Sequence, residues 1–164
     1  MTEPRAELPY MPGYDGMIDA SGGKTLPWVW AVARMAECRN FWLTTVRAEG
    51  GPHMMPVWGV WRDAGFEFST GPKSRKARNF RADPRIAVAT DNGADAVVIE
   101  GIVSVMAGPS HAAFIAAYKA KYDWVLTEDM APFYVVMPAV AFGVREYGDK
   151  VVGGVTRWTF DSSR

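Results

Sequence analysis

Apolar positions change their period twice along this chain. Leu26, Val29, Val32, Ala33 and Ala36 fall on one helical stripe with Arg34 and Glu37 off it. That predicts a helix over Leu26–Arg39, beginning near Pro27, a residue suited to a first turn. From Phe41 the period shortens. Phe41–Val46 is aromatic and β-branched, and Ala48-Glu49-Gly50-Gly51 supplies a hairpin turn before a return strand over Met54–Trp61. Asp63-Ala64-Gly65 is a second turn, and Phe66–Thr70 a third strand with Phe66 and Phe68 on one face. After Gly71-Pro72 comes a short helix, Ser74–Arg81, which Asp83-Pro84 stops. Strands over Arg85–Thr90 and Ala96–Val105 flank the turn Asp91-Asn92-Gly93, and a helix runs from Ser110, its N-cap, to about Tyr122. Phe133–Met137, Ala139–Glu146 and Val155–Phe160 read as three more strands. Seven or eight hairpin-linked strands with two or three helices describe a mainly β (α+β) antiparallel barrel, not a doubly wound parallel sheet.

The 164 residues suit one domain, residues 25–164, preceded by an extension over residues 1–24. That extension is rich in Pro, Gly and charge and is expected to lack regular structure, with Tyr10, Met11, Tyr14, Met17 and Ile18 laying it across a surface. Hydrophobic residues at 49% against 22% charged argue against disorder. Cys38 has no second cysteine to pair with, which suits a reducing cytoplasm. It reads as a small hydrophobe on the first helix, with a catalytic thiol as the alternative. Pro4, Pro9, Pro12, Gly13 and Gly16 break up the first twenty residues, so no leader is expected, and no apolar run is long enough to span a membrane. The expectation is a soluble, cytoplasmic protein.

Charge changes the picture only when it is placed. Eighteen basic and eighteen acidic residues sum to zero, which excludes a globally basic nucleic-acid binder. Yet Lys73, Arg75, Lys76, Arg78, Arg81 and Arg85 crowd together with only Asp83 among them. Ser74 sits where an N-cap belongs, so Arg75 and Lys76 occupy the first helical turn. Cations there are unfavourable by roughly 0.3–1 kcal/mol each. An anion among them reverses that sign, because free backbone N–H groups, the Ser74 hydroxyl and two cations make a phosphate site. A solvated surface helix and RNA binding are the alternatives from charge alone.

The run Phe66-Glu67-Phe68-Ser69-Thr70-Gly71-Pro72-Lys73-Ser74-Arg75-Lys76-Ala77-Arg78-Asn79-Phe80, followed by Asp83-Pro84-Arg85, resembles the pyridoxamine 5'-phosphate oxidase-like family. Phe41-Trp42-Leu43-Thr44-Thr45-Val46, Pro52-His53 and Ile99-Glu100-Gly101 support the likeness, which covers about residues 26–106. The resemblance implies a flavin- or deazaflavin-binding split β-barrel, a homodimer with its cofactor at the interface. It implies that Ser74, Arg75 and Lys76 hold the cofactor phosphate and that Ser69 and Thr70 contact the phosphate or ribityl chain. The backbone from Met55 to Val60, including Pro56, Val57 and Trp58, would run beside the ring, and Asn79 would reach the cofactor chain or else cap its helix.

The departures from that family narrow the expectation. Met55 and Val60 stand where the classical oxidases have an Arg and a Lys, and Ala96 where they have a Gln; the Arg-Leu-His-Asp-Arg substrate stretch is missing. Vitamin B6 oxidation is therefore not expected. Pro56-Val57-Trp58 instead is similar to the deazaflavin-dependent reductase branch, whose coenzyme F-420 carries extra negative charge for Lys73, Arg78 and Arg81 to meet. The implied function is hydride transfer to an organic substrate. An FMN-binding oxidase or reductase and a non-catalytic cofactor carrier are the alternatives. His53 and His111 lack metal-ligand spacing, and no metal site is expected. His53 reads as a structural histidine, with cofactor or substrate contact as the alternative, and Glu100 as a paired structural carboxylate. Trp58 and Trp61, at odd spacing, should face opposite sides of the sheet, one of them free to stack on an aromatic ligand or both committed to core and dimer contacts.

Overall fold

The computed structural model describes residues 3–13, 24–63, 65–145 and 154–161. Strands β1 (Arg5–Glu7), β2 (Phe41–Val46), β3 (Pro52–Val57), β4 (Gly59–Arg62), β5 (Gly65–Ser69), β6 (Arg85–Thr90), β7 (Asp95–Val105), β8 (Phe133–Arg145) and β9 (Val155–Thr159) pair antiparallel. Helices α1 (Trp28–Glu37), α2 (Arg75–Ala82) and α3 (His111–Tyr122) punctuate them. The ladder runs β1-β9-β8-β7-β6-β2-β3, while β5 joins β4 to β8. β3 passes through Trp58 directly into β4, so chain continuity leads the far edge back to β5 and β8. The ring is a barrel split at β3, the end of the ladder. Expected fold class and observed architecture agree.

Period-2 alternation builds the interior. Phe41, Leu43, Phe66, Phe68, Ile86, Val88, Val103 and Val136 point inward, and α2 closes one end with Ala77 and Phe80. Gly50, at φ +87°, takes the left-handed backbone that the β2–β3 turn requires. A second cluster seats α1 on the sheet, and a third seats α3 against Val60 and Phe133.

Several elements differ from expectation. α1 buries Trp30, Ala31 and Met35, whereas Val29 of the predicted stripe is 69% exposed and Ala36 is exposed too. The bulkier Trp30 and Met35 fill the space over Val97, Ile99, Ala141 and Trp158, and this packing overrides the weaker Val/Ala stripe. Pro27 is the N-cap, not a helical residue. Met54–Trp61 is two strands, because β3 pairs with β2 and β4 with β5. Phe133–Met137 and Ala139–Glu146 are a single strand, β8, with Glu146 outside the described residues. Pro138 lies within it opposite Gly101, where the ladder shifts register, so its missing N–H falls at an irregularity. Within the extension, Arg5–Glu7 is ordered as β1 against β9, giving nine strands among the described residues; residues 14–23 lie outside that set. Cys38 ends α1 instead of lying on it, half-buried, its thiol donating to the Asn40 carbonyl at 2.8 Å. Burial pushes that thiol's pKa up, which disfavours a thiolate.

Candidate functional site

The β5–α2 corner is built by capping chemistry. Ser74 is extended at φ −64°, ψ 158°, and its Oγ accepts from the Ala77 N–H at 3.2 Å. Thr70 Oγ1 lies 3.3 Å from the same oxygen. The cap satisfies one orphan donor of the helix; the Arg75 and Lys76 N–H groups precede any intrahelical acceptor. Two arginines fold back to brace the turn that presents Ser74. Arg78 Nη1 donates to the Lys73 carbonyl at 2.9 Å and Arg81 Nη2 to the Pro72 carbonyl at 2.6 Å. The expectation set these two at the mouth of the groove as anion contacts; in the structure each spends at least one N–H on the loop itself.

The acids are elsewhere. Asp83 chelates Arg85, its Oδ1 accepting from Nε at 2.9 Å, and those bonds hold its pKa at about 2. Among the described residues, no carboxylate pairs with Lys73, Arg75 or Lys76. Lys76 is half-buried, and burial without a counter-charge lowers its pKa. The amine is thus held at a cost that an anion would offset.

Asn79 behaves differently from its neighbours. It is buried, and its Nδ2 donates to Thr45 Oγ1 at 2.9 Å, while Thr45 Oγ1 donates to the His53 carbonyl at 3.3 Å. Neither a helix cap nor an exposed contact, its amide N–H bolts α2 to β2 and, through Thr45, to β3. Basic helix and edge strand thereby become neighbours. His53 contributes its backbone to this chain; its ring Nδ1 is buried without a partner.

β3 is the last strand of the ladder, so one side of its backbone has no strand partner. Met54, Met55 and Pro56 are exposed along it, but Val57 is buried in the barrel. Trp58 stacks on Tyr122 at 4.7 Å between centroids and 5° between planes, and donates Nε1–H to Asn40 Oδ1 at 3.1 Å. Trp61 packs the other way, 5.7 Å from Trp28, so the two tryptophans do face different layers. Val60 is buried under α3. Of the Met55–Val60 run, Met55 and Pro56 expose their side chains, Val57 and Val60 bury theirs, and Trp58 is half-buried. Ser69 and Thr70 are half-buried at the end of β5 beside Ser74.

Sequence reasoning missed the contacts around Gly59, where Tyr122 and Lys121 of α3 converge on the backbone of one residue. No local signal marks partners more than sixty residues apart. It also missed the Arg62–Glu67 pair, two bonds of 3.0 and 2.8 Å across β4–β5. His111 Nδ1 lies 2.9 Å from Glu128 Oε2 on the surface. Among the described residues, no three His, Cys, Asp or Glu side chains are grouped to hold a metal ion, and no helix is long and apolar enough to cross a membrane.

Comparison with known proteins bears on the fold that carries these residues. A family model described as pyridoxamine 5'-phosphate oxidase matches residues 31–145. Among solved structures, an F-420 reductase is 26% identical, with a TM-score of 0.55, covering 66% of this chain and 93% of its own. A heme-binding protein from Mycobacterium smegmatis, 21% identical at a TM-score of 0.60, covers 76% of this chain and 57% of its own. An FAD-binding protein from Mesorhizobium loti is 15% identical, at a TM-score of 0.57 over 84% of this chain and 98% of its own. The last two share the fold. Among curated proteins none matches.

Proposed function

Because the chain belongs to the pyridoxamine 5'-phosphate oxidase family, we propose that it is a cytoplasmic oxidoreductase that binds a deazaflavin of the coenzyme F-420 type and reduces an organic substrate. The observation that carries this reading is the pair of cations at the first turn of α2, Arg75 and half-buried Lys76, with no carboxylate partner among the described residues. Ser69, Thr70 and Ser74 line the same corner with hydroxyls. Phosphate is the anion that suits backbone N–H groups, a hydroxyl and two fixed cations together.

What favours a deazaflavin over FMN is the character of β3 and β4. Met55 is exposed and neutral where the classical oxidases carry an Arg, and Val60 is turned into the α3 cluster where they carry a Lys. The likeness to an F-420 reductase supports the same choice. When bound, a deazaflavin supplies hydride transfer, since carbon replaces the flavin N5 and one-electron chemistry is disfavoured. This chain's residues would bind and orient. Arg75, Lys76 and Ser74 would hold the phosphate, Met55 and Pro56 would offer a flat strand edge, and Lys73 would meet further negative charge. Asn79 would act by fastening the basic helix to the strands.

A homodimer belongs to the proposal. Trp42, Met54, Ile102 and Met137 are exposed on the outer face of the β2–β3–β6–β7–β8 sheet. The same face holds a shallow groove of about 370 Å³ floored by Ala87, Gly101, Ala139 and Val140. A monomer seldom leaves so much sheet apolar and uncovered. The test is turnover. Purified protein is incubated with reduced deazaflavin and a panel of activated enones and quinones, and cofactor oxidation is followed by absorbance. Reoxidation that scales with enzyme supports the reading; tight binding with no turnover leaves the carrier alternative standing in its place.

A further inference from the structure

We infer that the last turn of α3, through Tyr122 and Lys121, sets the direction of the strand that the proposal makes the cofactor's platform. The inference rests on that proposal for its purpose, and on the geometry of Gly59 for its substance. β3 is held by β2 alone, and Trp58 is all that separates it from β4, which belongs to a different pairing. Whatever fixes the peptide after Trp58 therefore fixes the end of β3.

Three hydrogen bonds from α3 meet there. The Gly59 N–H donates to the Tyr122 hydroxyl at 2.9 Å. The Gly59 carbonyl is 2.7 Å from that hydroxyl and accepts from Lys121 Nζ at 3.2 Å. The phenol has one proton and two carbonyls within reach, Gly59 and Arg39, the latter at 2.9 Å. It serves one well at a time, so Lys121, which also donates to the Met35 carbonyl at 3.2 Å, keeps Gly59 satisfied when the phenol turns to Arg39. Division of labour makes the two side chains a single clamp.

The joint is closed on its other sides. Trp58 lies flat on Tyr122, and the Arg39 guanidinium stands 5.2 and 5.5 Å from the two ring centroids. A Cβ on Gly59 would come within 2.3 Å of the Phe66 ring, so the peptide has no room to swing toward the barrel. α3 itself is anchored by Phe114 and Tyr118 against Phe133, far along the chain from β3. Residues distant in sequence thus hold the joint on which β3 hangs. Tyr122 and Lys121 touch no part of the basic corner at α2; they are positioning residues.

The test pairs Tyr122→Phe with Tyr118→Phe, which removes from the same ring cluster a hydroxyl with no hydrogen-bond partner among the described residues. Residue-resolved amide exchange is measured on the protein without added cofactor, and FMN and deazaflavin titrations follow. Tyr122→Phe is expected to raise exchange at Met55, Val57, Trp58 and Gly59 by about tenfold, the scale of one buried hydrogen bond. It should weaken cofactor binding by a similar factor, with Tyr118→Phe leaving both unchanged. Lys121→Met should reproduce the exchange change at Gly59. Exchange that stays as in the parent at these four amides, or rises equally throughout the barrel, overturns the inference. If the parent protein binds neither cofactor, the proposed function fails, and the exchange experiment alone still decides whether the clamp exists.

Discussion

Lys76→Met separates stability from binding, because the two effects should have opposite signs. Met keeps the aliphatic stem and removes only the ammonium. In the free protein that ammonium is half-buried, has no carboxylate partner among the described residues, and sits in the first turn of α2, where the helix dipole opposes it by roughly 0.3–1 kcal/mol. Removing it should leave the thermal midpoint unchanged or raise it. With cofactor the balance reverses. A charge-assisted hydrogen bond to phosphate is worth about 1.5–3 kcal/mol, which is roughly ten- to a hundredfold or more in Kd. The assay is fluorescence titration of FMN and deazaflavin at low and moderate salt, beside thermal unfolding of the free protein. Salt should weaken the parent more than the variant, since one screened contact is gone. An unfolding midpoint that falls while affinity holds would refute the reasoning outright, making Lys76 a structural residue.

Three further outcomes follow from the same contacts. Asn79→Ala should cost about 1–3 kcal/mol in urea unfolding, because it removes a buried bond to Thr45 and leaves a void between α2 and β2; a loss under about 0.5 kcal/mol would contradict that role. Gly101→Ala should cost about 1–3 kcal/mol or more, since its Cβ would lie 2.1 Å from the Met137 carbonyl oxygen in the shifted register of β7 and β8. Burial holds Lys121 near pKa 8 against its ordinary 10.5. Between those values the unfolded chain keeps a proton that the folded one has shed, so unfolding free energy rises with pH across that window. Tyr122, pushed to about 12 by burial, opposes this above pH 10, where the unfolded phenol ionises first. The stability difference between parent and Lys121→Met should therefore shift in the parent's favour from pH 8 to 10; a flat difference would place the amine in water.

What the chain discloses by itself is local. β2 and β6 begin and end where alternation and turn residues put them, and Ser74 caps α2 as its spacing predicts. Both are decided within a few residues by backbone preference and side-chain hydrogen bonding. The errors lie where distant partners choose. β8 runs through Pro138 because Gly101, on another strand, lets the ladder shift there. α1 turns Trp30 and Met35 inward because the sheet beneath them has room for large side chains. Asn79, one turn past Arg75, reads as a contact to the cofactor chain or as a cap of its helix, and the sequence does not show that Thr45 on β2 takes its amide N–H. The basic corner was legible because charge density survives any folding. The Gly59 joint was not, since nothing near Gly59 in sequence announces Tyr122.

The decisive proposal for this chain is that α2 holds the phosphate of a deazaflavin. It is tested most directly by titrating the purified protein in parallel with FMN and with coenzyme F-420, following intrinsic cofactor fluorescence. Saturable binding of both is expected, with F-420 the tighter and the more salt-sensitive, because its tail carries added negative charge to Lys73 and its neighbours. Tighter binding of FMN, or no saturable binding of either, would contradict it.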